Sequence, residues 1–185
     1  MRSLAWVLAA ALLIAGICDV ADRCEAKKKG GRKKMTITST AFSDGGMIPP
    51  KYTADGANVS PPLAFGGAPA GTKTFALICD DPDAPRGTWV HWVLYNLPAG
   101  VTSLPENVPP QPKLASGALQ GRNDFGRIGY GGPAPPSGTH RYFFKVYALD
   151  CVLKLDPGAT KAQLLKAMNG HILAEGQLVG KYSRK

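Results

Sequence analysis

Short runs of alternating apolar and polar residues, broken by glycine and proline, make up most of the chain after residue 34. Alternation with a period of two places one face of a strand on a core. The runs 35–39, 72–80, 90–96 and 140–149 are predicted strands, and the last is the clearest because aromatic and β-branched residues dominate it. Residues 101–132 are predicted to be mostly loop. With 22 glycines and 16 prolines, the pattern indicates a mainly β sandwich with elaborate loops.

Helical spacing is found near the C-terminus, where Thr160 and Gln163 fit a capping box. Its apolar positions are Leu164, Leu165, Met168 and Ile172. We therefore predict a C-terminal helix that packs on the sheet. Among these apolar neighbours, His171 is expected to be a structural histidine rather than a ligand.

The first 26 residues have the pattern of a signal peptide. Arg2 precedes an apolar run over 4–17, which is too short for a membrane span, and Ala26 ends a small-x-small site. We expect cleavage after Ala26 and an exported protein, periplasmic or secreted; an uncleaved membrane anchor is the alternative.

Residues 27–34 form a basic linker with six Lys or Arg and no acid, and they account for most of the net charge of +9. Such a run is either a solvated linker or a peripheral contact with anionic lipid. No basic helix or interleaved surface aromatics accompany it, so nucleic-acid binding is not predicted. Residues 35–185 are predicted to form one domain.

The stretch 80–85 places three aspartates and two prolines directly after a buried strand. We expect Pro82 and Pro85 to hold the backbone as a rigid rim from which Asp81 faces a pocket. Asp83 is expected to accept hydrogen bonds that hold the turn.

Residues two apart share a face of a strand, which pairs Trp89 with His91 and His140 with Tyr142. Both pairs lie at strand starts, and Asp81 lies at a strand end. An antiparallel arrangement would bring Asp81, His91 and His140 to one edge of the sheet. In the loop 129–139, the amides of Gly131 and Gly132 are candidate donors to an anion, and Pro133 helps fix the loop's shape.

Several motifs in this order resemble the phosphatidylethanolamine-binding protein family, in particular its bacterial Raf-kinase-inhibitor-like branch. They are residues 60–63, 81–85, 89–92, 123–126, 131–142 and 170–174. The resemblance implies a β-sandwich of that family. It also implies a small anion pocket around Asp81, Trp89, His91, Gly132, His140 and Tyr142.

The function that the resemblance implies is binding of phosphate-bearing small molecules or phospholipid headgroups, with modulation of a partner enzyme left open. We therefore expect a binding protein without cofactor or metal rather than an enzyme. The alternatives are inhibition of a protease or kinase through a surface loop, and a metal-dependent enzyme using Asp81, His91 and His140. A hydrolase using Ser137 beside His140 lacks the usual nucleophile elbow. A homodimer is left open.

Two cysteines lie beyond the predicted leader. The layout that the resemblance implies places Cys79 at the pocket end and Cys151 eleven residues beyond His140, about 30 Å away if the chain is extended. We therefore predict two buried thiols rather than a disulfide between them. Trp92 is expected in the core and Trp89 at the pocket.

Overall fold

The computed structural model describes residues 33–184. Nine strands and one short helix form the domain: β1 (Lys33–Lys34), β2 (Thr36–Thr38), β3 (Leu63–Gly66), β4 (Thr74–Asp81), β5 (Trp89–Pro98), β6 (Ser103–Leu104), β7 (Leu119–Gln120), β8 (Thr139–Leu149), α1 (Lys161–Met168) and β9 (Ile172–Ser183). A single 3-10 turn spans Pro50–Tyr52. In this part of the chain, no helix has the length and apolar character needed to cross a membrane.

The strands form two sheets. The larger sheet has six strands in the order β1-β9-β8-β4-β5-β7, and the smaller has three in the order β2-β3-β6. All pairs are antiparallel except β1 with β9. The four predicted strands are thus confirmed as β2, β4, β5 and β8, and the family's mainly β fold is confirmed with them.

The central strand β4 is buried along its whole length because both faces of the larger sheet are covered. Phe75, Leu77 and Cys79 belong to a core that also contains Ile37 and Phe65 of the smaller sheet. The alternate residues of β4 belong to a second core, which includes two residues of α1. Successive side chains of a strand point to opposite faces, so one strand serves both cores.

The C-terminal prediction was correct for α1 and wrong for the residues after it. Thr160 and Gln163 form the capping box as expected. Ile172, however, begins β9 rather than continuing the helix, because Gly170 adopts a left-handed conformation (φ 87°) and β9 pairs with β8 over eleven positions. Glycine keeps β9 close to its neighbours: a Cβ at Gly180 would lie 2.5 Å from Ile48 Cγ1.

The predicted leader and most of the basic linker lie outside the described residues. The last two linker residues, Lys33 and Lys34, are exposed and pair with β9, so the linker ends inside the sheet. The segment 101–132 contains only the two-residue strands β6 and β7, as expected of a loop region.

The cysteine prediction was correct for one residue and wrong for the other. Cys79 is a buried free thiol, and burial raises its pKa well above the usual value. Cys151 is also buried but is disulfide-bonded rather than a thiol. As predicted, the two are not bonded to each other. Trp92 lies in the core and donates its indole N–H to Gln120 Oε1.

Candidate functional site

The register of β4, β5 and β8 brings three polar side chains to one end of the larger sheet. Asp81 pairs with Trp89 on β5, while Asp80 pairs with Phe143 on β8. Asp81, His91 and His140 are 3%, 2% and 7% exposed and line the same cavity. The predicted convergence of these three residues is therefore what the structure shows.

Asp81 and His140 form a buried hydrogen-bonded pair. The distance from His140 Nδ1 to Asp81 Oδ2 is 2.7 Å, and the ring nitrogen donates because the carboxylate can only accept. The other carboxylate oxygen, Oδ1, accepts from the backbone N–H of Asp83 at 2.8 Å. Both oxygens of Asp81 therefore accept hydrogen bonds from the protein. His140 is held through Nδ1, which leaves its Nε2 as the ring nitrogen that can bind a ligand.

In the stretch 80–85, Asp83 accepts hydrogen bonds as expected, and the donor is Arg141. Both oxygens of Asp83 accept from the guanidinium of Arg141, at 2.7 and 2.8 Å, and Oδ2 also accepts from the Arg141 amide. These hydrogen bonds lower the pKa of Asp83 to about 2. Pro85 lines the cavity, while Pro82 is exposed at the rim.

His91 is fixed by the backbone of the glycine loop. Its Nδ1 lies 2.6 Å from the carbonyl oxygen of Gly131, so Nδ1 carries the proton and donates. In return, the amide of Gly131 donates to the carbonyl oxygen of His91. Burial lowers the pKa of His91, which keeps the ring neutral at pH 7 and leaves Nε2 as a hydrogen-bond acceptor.

The predicted role of the glycine amides was wrong. The amide of Gly132 donates to Asn58 Oδ1 at 2.7 Å, and that of Gly131 is used by His91, so neither is free for an anion. The glycines are needed for packing instead: a Cβ at Gly132 would lie 2.8 Å from the Thr53 backbone. Pro133 accepts from the amide of Ala54. These three residues support the site without lining its cavity.

Tyr142 and Trp89 each carry a buried polar atom with no hydrogen-bond partner among the described residues. Tyr142 packs edge-on against His91, with ring centres 5.1 Å apart, but does not itself line the cavity. Burial raises its pKa far above that of a free phenol. Trp89 does line the cavity, as predicted, and its indole Nε1–H is the orphaned donor.

The cavity has a volume of about 430 Å³. Its lining residues are Asp81, Ala84, Pro85, Arg86, Trp89, His91, Phe125, Ala134, Pro135, Pro136 and His140. The sequence did not single out Arg86 or Phe125 as site residues. Arg86 directly follows the 80–85 stretch, and Phe125 lies in the 123–126 motif, where Asn123 Oδ1 accepts its backbone N–H. The positions of Arg86 and Phe125, beside and within these motifs, were the sequence signal that could have identified them as site residues.

Two alternatives raised by the sequence lack support from the geometry. Among the described residues, one trio of metal-ligating side chains has its donor atoms within 4.8 Å of one another, and it consists of Asp150, Cys151 and His171. Cys151 is disulfide-bonded, and His171 Nδ1 binds the Asp150 carboxylate at 2.9 Å, which is the structural role predicted for that histidine. Ser137 is exposed and does not line the cavity.

The fold is a β-sandwich with a cavity lined by two histidines at one end of its larger sheet, and comparison with known proteins gives the family. The phosphatidylethanolamine-binding protein family model matches residues 38–183. The chain belongs to this family.

Similar proteins are found in archaea and bacteria. The UPF0098 protein of Methanothermobacter thermautotrophicus is 55% identical over 150 residues, which cover 81% of this chain and 99% of the relative. The UPF0098 protein of Pyrococcus horikoshii is 45% identical over 190 residues, covering 100% of this chain and 91% of the relative.

Two crystal structures share the fold. A phosphatidylethanolamine-binding protein homologue of Chlamydia trachomatis is 45% identical with a TM-score of 0.76, over 83% of this chain and 99% of that one. YbcL of Escherichia coli, described as a member of the mammalian family, is 37% identical with a TM-score of 0.76, over 82% and 99%.

Proposed function

We propose that the protein binds a small phosphate-bearing ligand, such as a phospholipid headgroup, in the cavity at the end of β4, β5 and β8. The observation that carries this proposal is the hydrogen bonding of the two histidine rings. His91 and His140 both use Nδ1 inside the protein, and no described residue forms a hydrogen bond with either Nε2. Two fixed imidazoles with free outer nitrogens therefore line one cavity.

Protonated phosphate matches such a pair of rings. A phosphate monoester has its second pKa near 6, so about a tenth of it carries an O–H beside its anionic oxygens at pH 7, and about half of it does at pH 6. The O–H can donate to the neutral Nε2 of His91, and an anionic oxygen of the phosphate can accept from Nε2 of His140 when that nitrogen carries a proton. Asp81 holds His140 in the orientation that this contact requires.

A calorimetric titration with inorganic phosphate, at millimolar concentrations, tests the proposal. We expect one site per chain, and we expect His140→Gln to weaken binding about tenfold or more, because a charge-assisted hydrogen bond is lost. His171→Gln is the matched control, since His171 binds Asp150 and lies outside the cavity lining. Wild-type protein without measurable binding, or equal loss in both variants, would contradict the proposal.

We further propose that the protein is exported to an oxidising compartment. The leader pattern of residues 1–26 supports this, and so does the disulfide at Cys151, because disulfides persist outside the reducing cytosol. The basic residues 27–34 would then hold the domain near anionic lipid. Fractionation of the source cells, with a cytosolic marker, checks the location.

A further inference from the structure

A group of hydrogen bonds outside the cavity joins the C-terminal end of β9 to the loop 50–58. Both carboxylate oxygens of Asp55, in this loop, accept from the guanidinium of Arg184 at distances between 2.7 and 3.0 Å. Oδ2 of Asp55 also accepts from the hydroxyl of Tyr182 at 2.9 Å. A single exposed ion pair contributes little to stability, but a bidentate pair with a further hydroxyl donor holds one geometry. The end of β9 therefore fixes the position of Asp55.

The loop 50–58 is in turn bonded to the glycine loop, on both sides of Gly131. Three hydrogen bonds make this connection, from the Tyr130 hydroxyl to the Tyr52 carbonyl at 2.7 Å, from the Gly132 amide to Asn58 Oδ1 at 2.7 Å, and from the Ala54 amide to the Pro133 carbonyl at 2.9 Å. Asn58 has a positive φ of 56°, a conformation that asparagine adopts more readily than most residues. The position of Gly131 thus depends on the loop 50–58.

Gly131 determines which ring nitrogen of His91 carries the proton. Nδ1 of His91 donates to the Gly131 carbonyl at 2.6 Å, and the Gly131 amide donates to the His91 carbonyl at 2.8 Å. The hydrogen bond made by one ring nitrogen of a histidine sets the tautomer. Because the Gly131 carbonyl holds the proton on Nδ1, Nε2 of His91 is left as an acceptor.

We propose that Asp55 is a positioning residue for His91, and that Tyr182 and Arg184 hold Asp55 in place from the end of β9. Asp55 does not line the cavity and acts through the loop 50–58 and the glycine loop. Without its contacts the loop 50–58 moves, the Gly131 carbonyl leaves Nδ1, and the proton of His91 is shared between Nδ1 and Nε2. This inference concerns the free protein. Only its consequence for affinity rests on the phosphate binding proposed above.

A second set of contacts keeps the loop 50–58 attached when Asp55 is changed. Glu106 accepts from Lys51 Nζ and from the Tyr52 hydroxyl, both at 2.6 Å. Asp55 is at the surface, so its replacement leaves no buried charge unpaired. Asp55→Ala is therefore expected to fold, and Arg184→Gln is the milder change because the Tyr182 hydroxyl still reaches Asp55.

NMR of the free protein with labelled ring nitrogens tests the inference, because each tautomer of a neutral histidine gives its own pair of nitrogen shifts. Wild-type His91 is expected to show the Nδ1–H form alone. Asp55→Ala should show a mixture of the two forms, and Arg184→Gln a smaller change in the same direction. His140 is the internal reference, because its Nδ1 donates to Asp81 rather than to the glycine loop. Lys145→Met is the control variant, since Lys145 binds Asp80 on the α1 side of the sheet.

Two results would overturn the positioning role. One is a His91 that keeps the Nδ1–H form in Asp55→Ala and in Arg184→Gln. The other is an equal change at His140 or in Lys145→Met, which would indicate general loosening of the fold.

Calorimetry with inorganic phosphate separates this inference from the proposed function. Asp55→Ala is expected to bind phosphate about threefold to tenfold more weakly than the wild type. A wild-type protein that binds no phosphate, while the tautomer still responds to Asp55→Ala, would overturn the proposed function and leave the positioning role intact. Phosphate binding by the wild type, together with an unchanged tautomer in both variants, would overturn the positioning role alone.

Discussion

Consecutive aspartates at 80 and 81 serve opposite faces of β4. Asp81 lies on the cavity side and orients His140, whereas Asp80 lies on the α1 side and accepts from two lysines. Asp83, beyond the strand, holds the rim through Arg141. The density of acids in this stretch thus reflects three separate structural tasks at one strand end.

At the residue scale, the strand period predicted much of the site. Asp81, Trp89, His91 and His140 could be placed together because alternation and antiparallel pairing fix which side chains meet at a sheet edge. The amide of Gly131 could not be assigned in this way, since its hydrogen bond depends on how distant loops fold onto the site. A local pattern does not show whether a backbone donor has already found a partner.

The binding of phosphate should depend on pH because Nε2 of His91 needs a proton from the ligand. The pKa of His91 is lowered from 6.5, so at pH 7 its ring is neutral, and the bound phosphate must carry the O–H that donates to it. Affinity is therefore expected to rise as pH falls from about 8 to about 6, by at most about tenfold per unit. Calorimetry across this range measures it. Affinity that is constant or increases with pH would contradict the proposed contact.

Gly132 should tolerate no side chain. A Cβ there would lie 2.7 Å from Asn58 Oδ1 and 2.8 Å from the Thr53 backbone, so Gly132→Ala must displace a loop. We expect a loss of about 1–3 kcal/mol in the free energy of unfolding. Urea denaturation measures this, and Gly100→Ala is the control because a Cβ there meets nothing within 4 Å. Equal stability of the two variants would contradict the packing account.

At the scale of elements, α1 is tied to the sheet by the buried carboxylate of Asp80. Asp80 is 1% exposed and accepts from Lys145 on β8 at 2.9 Å and from Lys161, the first residue of α1, at 2.5 Å. A buried carboxylate without a cation lowers the stability of the fold, and both lysines neutralise the same carboxylate here. Either lysine alone can still pair with it.

The two lysines are therefore expected to act non-additively. Lys145→Met and Lys161→Met should each cost about 1 kcal/mol of stability, while the double variant should cost about 3–5 kcal/mol because Asp80 is left unpaired. Adding Asp80→Asn to the double variant should recover part of the loss. A double-mutant cycle by chemical denaturation tests this. Additive losses would show that the lysines act independently.

Element boundaries were predictable where a local signal decided them. The capping box of Thr160 gave the start of α1 correctly, because its hydrogen bonds lie within four residues. The strand β9 was missed, since its formation depends on pairing with β8 and on glycines that pack against Met35 and Ile48. In a sequence interpreted as a helix, glycines indicate only that the helix is interrupted, and they do not indicate a strand. Long-range pairing therefore overrode the apparent helical spacing.

At the scale of the whole molecule, the two-sheet fold followed from alternation and from the family resemblance, but the oxidation state of the cysteines did not. The layout that the family resemblance implies argued against a bond between Cys79 and Cys151, and it gave no information on other pairings. The disulfide bond of Cys151 supports the export proposed above, because disulfides persist in oxidising compartments.

Intact-mass measurement of protein from its own compartment tests both processing and oxidation. Cleavage after Ala26 predicts a chain that begins at Lys27 and retains only Cys79 and Cys151, which are not bonded to each other. Alkylation should label Cys79 only after unfolding, because it is buried. A full-length chain with every cysteine reduced would contradict export.

The most direct test of the central claim uses the three histidines of the chain. With ring-nitrogen labelling, NMR can follow Nε2 of each histidine while inorganic phosphate is added. The account predicts saturable shifts at Nε2 of His91 and His140 with the same dissociation constant, and no shift at His171, which binds Asp150 outside the cavity lining. Unchanged signals of His91 and His140 at millimolar phosphate, or equal shifts of all three, would contradict phosphate binding in this cavity.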